Sequence, residues 1–272
     1  MPAYKTPDNL VELLGKVVRS ASLTNYYRPR LSGSTGIATL DEFRTIPPTP
    51  LSDFRERALS DTLAEPGNVD WIVGADGGQS PTRTAMVENA DEGAVRYDVL
   101  ADAVKEQVSL DASTVCAAVS TPEGRYFASE VATILIAAGA HAHVFTDDGR
   151  PRTYERLDLL EPQVVVMLSP RLVEDRLPAT TKLAITFNRE RRMTRLPQID
   201  VYHVDGLGFL GHSSDLDTYT LNSDVYYFEQ SNDGRLIVTP IYGRVQPALR
   251  VLTEDKVEFV AESRVRFVDG CR

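Results

Sequence analysis

Cysteine is scarce in this sequence: Cys116 and Cys271 are the two that it holds in 272 residues. Neither a metal-ligand spacing nor a disulfide framework can be built from such a pair. Positive charge is also short, with 29 Lys and Arg against 39 Asp and Glu and a net charge of −10. A nucleic-acid backbone rewards clustered basic residues, so nucleic acid is excluded as the main partner. The one basic knot, Arg189-Glu190-Arg191-Arg192, reads as a solvated surface patch. No apolar run approaches the ~18 residues of a membrane span. The opening residues MPAYKTPDNLVELLGKVV carry acidic groups in an amphipathic pattern and lack the uninterrupted apolar core of a secretion signal. These absences describe a soluble, cytoplasmic protein without a membrane partner. His141 and His143 are spaced to share one side of a strand, but no third donor accompanies them, and metal sites need three or four. The patterns S-x-x-K, G-x-S-x-G and H-E-x-x-H are missing, as is the Gly-Lys-Ser/Thr of a phosphoryl-transfer loop.

What is present begins with a helical spacing of Leu10, Val11, Leu13, Leu14, Val17 and Val18, opened by Asp8 as candidate N-cap. An irregular segment with two short helical pieces, TLDEF and LSDFRERAL, follows. Apolar runs at Val115–Val119, Ala142–Phe145 and Val164–Leu168 then alternate with helical stretches at Ala128–Ala138 and Thr153–Leu160. This is the spacing of βαβ units and predicts parallel strands covered on both faces. Lys182–Phe187 and Ile199–Val204 extend the same sheet. Beyond Gly211 the period changes to two: VYYFEQSNDGRLIVTPIYG reads as a hairpin about Asn232-Asp233-Gly234, and DKVEFVAESRVRFVDG adds further strands. The fold class is α/β, a parallel core with an antiparallel C-terminal β subdomain. The expected division is a helical cap over 1–70, the α/β core over 71–211 and the β subdomain over 212–272.

Three glycine-bearing stretches compete as phosphate binders. Ser32-Gly-Ser-Thr-Gly36 falls between helical pieces and reads as a turn. Gly206-Leu-Gly-Phe-Leu-Gly211 has the G-x-G-x-x-G pattern of dinucleotide sites, which requires a helix to open at the loop. The residues after it, HSSDLDTYTLNSD, are poor helix formers. VGADGGQSPTRTAMV is flanked by apolar runs and reads as a hairpin loop in which backbone N–H groups and the hydroxyls of Ser80 and Thr82 can face an anion.

In order, these segments resemble the phenylacetate–CoA ligase-like branch of the adenylate-forming enzymes. NYYRPRLSGSTGIATLDEFRTIPPTPLSDFRE resembles the branch's opening segment, and GADGGQSPTRTAMV stands in place of its phosphate loop. ILIAAGAHAHVF, LLEPQVVVMLSPRLV and DGRLIVTPIYGRVQPALRVLTEDKVEF are similar to later segments, so the resemblance spans most of residues 10–260. It implies that ATP or AMP binds with its phosphates at Gly77, Gly78, Ser80 and Thr82 and its ribose at Asp255, with Arg250, Asp205 and Gly206 in matching motif positions. It further implies a small carboxylic acid as substrate and Mg2+ as a companion ion. The departures lie in the same motifs. Gly208 and Phe209 stand where the branch has the Thr-Glu pair that helps to hold magnesium, Glu254 replaces a glycine, and Asp76 lies within the phosphate loop. The branch's mobile C-terminal domain has no counterpart after Phe259, so the chain reads as a truncated, motif-degenerate relative with a face left for a protein partner or self-association. The readings that follow are a degenerate adenylate-forming enzyme, a non-catalytic binding or scaffold protein of that fold, and a dinucleotide binder using Gly206–Gly211.

Overall fold

The computed structural model describes residues 6–31, 36–65, 71–74 and 85–268. The first helix, α1 (Leu10–Ser22), buries Leu10, Leu14, Val17, Val18 and Ala21 along one face. Its N-cap is Asn9, one residue beyond the expected Asp8, and the cap makes no side-chain hydrogen bond. The next helix, α2 (Leu40–Thr45), opens at Thr39, whose Oγ1 accepts from the Glu42 N–H at 3.1 Å while the Glu42 carboxylate accepts from Ala38 N–H at 2.6 Å. This is a capping box displaced by one residue. There follow β1 (Thr49–Pro50), α3 (Leu51–Glu56), α4 (Leu59–Thr62) and the antiparallel pair β2 (Trp71–Gly74) and β3 (Ala85–Glu88). The helix α5 (Ala90–Lys105), capped by Asn89 on the Glu92 N–H, has no counterpart in the sequence reading. Its mixture of Ala, Asp and Val lacks a clean apolar stripe.

The parallel region then runs β4 (Val115–Ser120), α6 (Arg125–Ala137), β5 (His141–Thr146), α7 (Arg152–Leu160), β6 (Val164–Leu168), a 3₁₀ turn at Glu174–Arg176, β7 (Leu183–Phe187) and β8 (Gln198–Val204). Spatially the order is β5-β4-β6-β7-β8, all parallel, so the direction of winding reverses between β4 and β6. The strands are apolar on both sides because both sides are covered. Cys116, Ala118, Val166 and Ile185 pack with Leu100 and Val104 of α5 and Val131 and Leu135 of α6. Ala117, Val119, Val165 and Ala184 pack with Leu157 of α7 on the other face. Burial pushes the Cys116 thiol up to about 12, which leaves it a small inert core residue.

From β8 the sheet continues antiparallel through β9 (Gly208–Ser213), β10 (Tyr219–Leu221), β14 (Arg264–Phe267), β13 (Val251–Ala261), β12 (Arg235–Pro240) and β11 (Tyr226–Gln230). The long β13 pairs with β12 through its first half and with β14 through its second, and so joins the two ends of this region. The β11–β12 hairpin turns at Gly234, whose φ of 86° is the left-handed geometry expected at that turn. The architecture is α/β, with the parallel core and antiparallel strands that the periodicity implies. Among the described residues no helix is long and apolar enough to cross a membrane.

Candidate functional site

In open parallel sheets ligands bind beyond the carboxyl ends of the strands. At that edge β7 runs into Asn188 and Arg189, whose φ values of 55° and 63° are left-handed for two successive residues that are not glycine. Such backbone persists only where its surroundings hold it. Here Asn188 Oδ1 accepts from the His203 N–H at 2.8 Å, and Asp200 Oδ1 accepts from the Arg189 N–H at 2.9 Å. Asp200, wholly buried in β8, also accepts from Tyr219 Oη at 2.6 Å and Thr186 Oγ1 at 2.7 Å. Burial pushes its carboxyl above the usual range, against the pull of these donors.

The turn delivers the Arg189 side chain inward. It is 5 % exposed, donates from Nη2 to Asp255 Oδ1 at 3.0 Å, and lies with its guanidinium carbon 3.7 Å from the centre of the Phe267 ring. Asp255 Oδ2 accepts from Tyr202 Oη at 2.8 Å, and burial, followed by the adjacent carboxylate, drives the Tyr202 phenol well above its ordinary value. The basic knot is therefore not a solvated surface patch. Arg189 is a buried partner of Asp255, and Arg191 donates to the carbonyls of Leu172, Ser169 and Pro170. Arg192 alone of the three arginines is exposed, paired with Asp217. Sequence reasoning missed Arg189, Asp200 and Tyr202 because their partners are distant in the chain.

The other expected site residues are dispersed. Arg250 forms a two-pronged pair with Glu229, Nε to Oε2 at 2.9 Å and Nη2 to Oε1 at 3.0 Å, and donates from Nη1 to the carbonyls of Arg44 and Ile46. Its side chain ties β11 to the end of α2, whereas that of Asp255 is held by β8 and the β7–β8 loop. Asp205 and Gly206 lie in the turn between β8 and β9. Asp205 Oδ1 is 3.6 Å from His203 Nδ1, and the Gly206 carbonyl accepts from Arg244 Nη1 at 3.2 Å. Gly77, Gly78, Ser80 and Thr82, with Asp76, lie outside the described residues.

The glycine pattern Gly206–Gly211 has a different structural basis from the dinucleotide one. No helix opens there; β9 begins at Gly208 and pairs with β8 and β10. A Cβ on Gly211 would lie 2.4 Å from the Thr220 carbonyl oxygen, so the last glycine serves strand contact. Gly208 and Phe209 are buried in β9 and offer no side-chain oxygen, so these two positions do not fit Mg2+. Among the described residues no group of three or more His, Cys, Asp or Glu is arranged to hold a metal ion. His141 and His143 are exposed on the edge strand β5.

This architecture is that of the N-terminal domain of adenylate-forming enzymes. In particular, the chain is similar to a 2-hydroxyisobutyryl-CoA ligase in complex with 2-HIB-AMP in the postadenylation state, with TM-score 0.76 and 13% identity over 98% of this chain and 68% of that one. The same ligase with 2-HIB-AMP and CoA in the thioesterification state gives 0.73 and 15% over 96% and 66%. E. coli MenE with a bound analogue of OSB-AMS gives 0.50 and 11% over 76% and 49%. The chain thus spans about two thirds of the length of the 2-hydroxyisobutyryl-CoA ligase. At these identities the likeness is one of fold. No family model matches the sequence, and no curated protein matches it in sequence.

Proposed function

We propose that this chain is a ligase-like protein that binds an adenine nucleotide, as AMP or as the adenylate of a small carboxylic acid, beside Asp255. The observation that carries the reading is the placement of Asp255: β13 brings it to the loop that leaves β7 and to Tyr202 of β8, at the carboxyl edge of the parallel sheet. The fold is shared with ligases solved with AMP-linked intermediates. In this reading the Asp255 carboxylate accepts from the ribose hydroxyls, and the backbone around Gly77 and Gly78, with Ser80 and Thr82, faces the phosphates. The reaction is attack of a carboxylate on the α-phosphate of ATP, releasing pyrophosphate. It depends on stabilising the charge that develops at the phosphates, and Gly208 and Phe209 offer no side-chain oxygen to hold Mg2+ there, so adenylation by these residues is slow.

Isothermal titration with AMP and with ATP, each with and without Mg2+, tests the reading. Saturable binding is expected, weakened by about tenfold or more in Asp255→Asn, since a hydrogen bond to a charged group contributes ~1.5–3 kcal/mol. Absence of binding at millimolar ligand, in the wild type and in a variant that frees Asp255 by Arg189→Ala, would overturn it. A non-catalytic scaffold is the second reading, favoured by the commitment of Arg250 to Glu229 and to the α2 carbonyls. Self-association in light scattering, with no response to nucleotide, would support that alternative.

A further inference from the structure

Asp255 is the carboxylate on which nucleotide binding rests in the reading above, and both of its oxygens are already engaged, Oδ1 by Arg189 and Oδ2 by Tyr202. A ribose diol is a pair of neutral donors, whereas the guanidinium is a cation. Both make a hydrogen bond to an ionised acceptor, but the guanidinium adds an opposite charge in a largely buried site, so the arginine holds the oxygen more strongly than a diol does. The incumbent is also pre-placed. Two successive non-glycine residues adopt left-handed φ to deliver it, the wholly buried Asp200 fixes its N–H, and the Phe267 ring lies 3.7 Å beneath its guanidinium carbon. A surface arginine seeking a counter-ion needs none of this. The pair is nevertheless within reach of a ligand, because the Asp255 side chain keeps 14 % of its exposure while that of Arg189 keeps 5 %.

We propose that Arg189 is an internal latch on Asp255 that sets the affinity of this protein for nucleosides: a ribose diol is accepted only as the guanidinium gives up Oδ1. The inference rests on the nucleotide reading and deepens it. It makes the wild-type chain a weak binder of AMP whose ribose-binding carboxylate is occupied by the protein's own side chain. It also makes the ligand's diol, rather than its base or phosphate, the group that competes with the protein.

The test is titration of AMP and of 2′,3′-dideoxy-AMP into the wild type, Arg189→Ala, Asp255→Asn and the double variant. Arg189→Met, which keeps an apolar stem over Phe267, serves as a second substitution, and thermal unfolding verifies each protein. The expected result is AMP binding tightened by tenfold or more on loss of the guanidinium. That gain should be absent for the dideoxy analogue and absent when Asp255 is already Asn. Wild-type binding that stays equal or weakens in both Arg189 variants, or a gain shared by the dideoxy analogue, overturns the latch while leaving nucleotide binding in place. Failure of every folded protein to bind AMP overturns the latch and the underlying reading together. If neither Arg189 variant unfolds cooperatively, the arginine is a structural brace and the latch is again overturned.

Discussion

The two halves of the sheet are closed by different physics. In the parallel half, Val164, Val165, Val166, Ala184 and Ile185 are wholly buried beneath α5, α6 and α7, and neighbouring strands meet through apolar side chains. The antiparallel half is instead tied by buried ion pairs between segments far apart in the chain, one within it, Arg250 with Glu229, and two that reach into the parallel half, Arg244 with Glu92 of α5 and Asp255 with Arg189 beyond β7. Apolar burial is non-directional, so many side chains of suitable volume satisfy the first half. A buried ion pair is directional, and the loss of either partner strands the other. The same half supplies Asp255 and Arg250, so the residues that the resemblance assigns to a ligand are also the cross-links of the structure.

The largest expected effect is at the bidentate cross-link. Arg250→Ala leaves Glu229 buried without its guanidinium and should cost about 3–5 kcal/mol in urea unfolding near neutral pH. Burial already raises the Glu229 carboxyl above its usual range, against Arg250 and then Arg44. Removing the arginine raises it further, so the folded variant takes up a proton more readily than its unfolded chain, and the cost should shrink as the pH falls from neutral toward the carboxyl's ordinary 4.5. A loss below ~1 kcal/mol, typical of a solvated pair, would erase the distinction between the halves. In the parallel half, Ile185→Val should cost only about 0.5–1.5 kcal/mol, by the same unfolding measurement, and this loss should be independent of pH because no charge is involved. A pH-dependent loss at Ile185 would mean that the apolar half is coupled to a titrating group.

The same division governs what could be read from the sequence. The strand Val164–Leu168 is found within its expected bounds, and β4, β5, β7 and β8 within one or two residues, because a fully buried strand announces itself as an apolar run. The hairpin at Gly234 was equally legible, since only a few residue types tolerate its backbone. The helix α5 was not, because its burial is distributed and its composition is mixed. The latch at Arg189 was hidden for another reason. A run of arginines carries no mark of which one will turn inward, and that is decided by Asp200 and Asp255, one beyond the next loop and the other on β13. The glycines at 206, 208 and 211 matched a motif by letter while their geometry follows from a β-turn and close strand contact.

The smallest effect lies where the halves meet. His212 of β9 is buried, with Nε2 3.6 Å from Glu106 Oε2 just beyond α5. Burial lowers the imidazole below its ordinary 6.5, and Glu106 opposes that shift. The folded protein therefore favours neutral His212, while the unfolded chain takes up a proton first as the pH falls. The stability that His212 contributes is complete above its unfolded value and is lost on acidification through the depressed folded value. Thermal unfolding between about pH 8 and about pH 5 should show a shallower decline in Tm for His212→Gln than for the wild type. Glu106→Gln should steepen the decline, since it removes the group that favours the charged ring. Parallel Tm profiles in all three proteins would show that this contact between the halves is electrostatically silent.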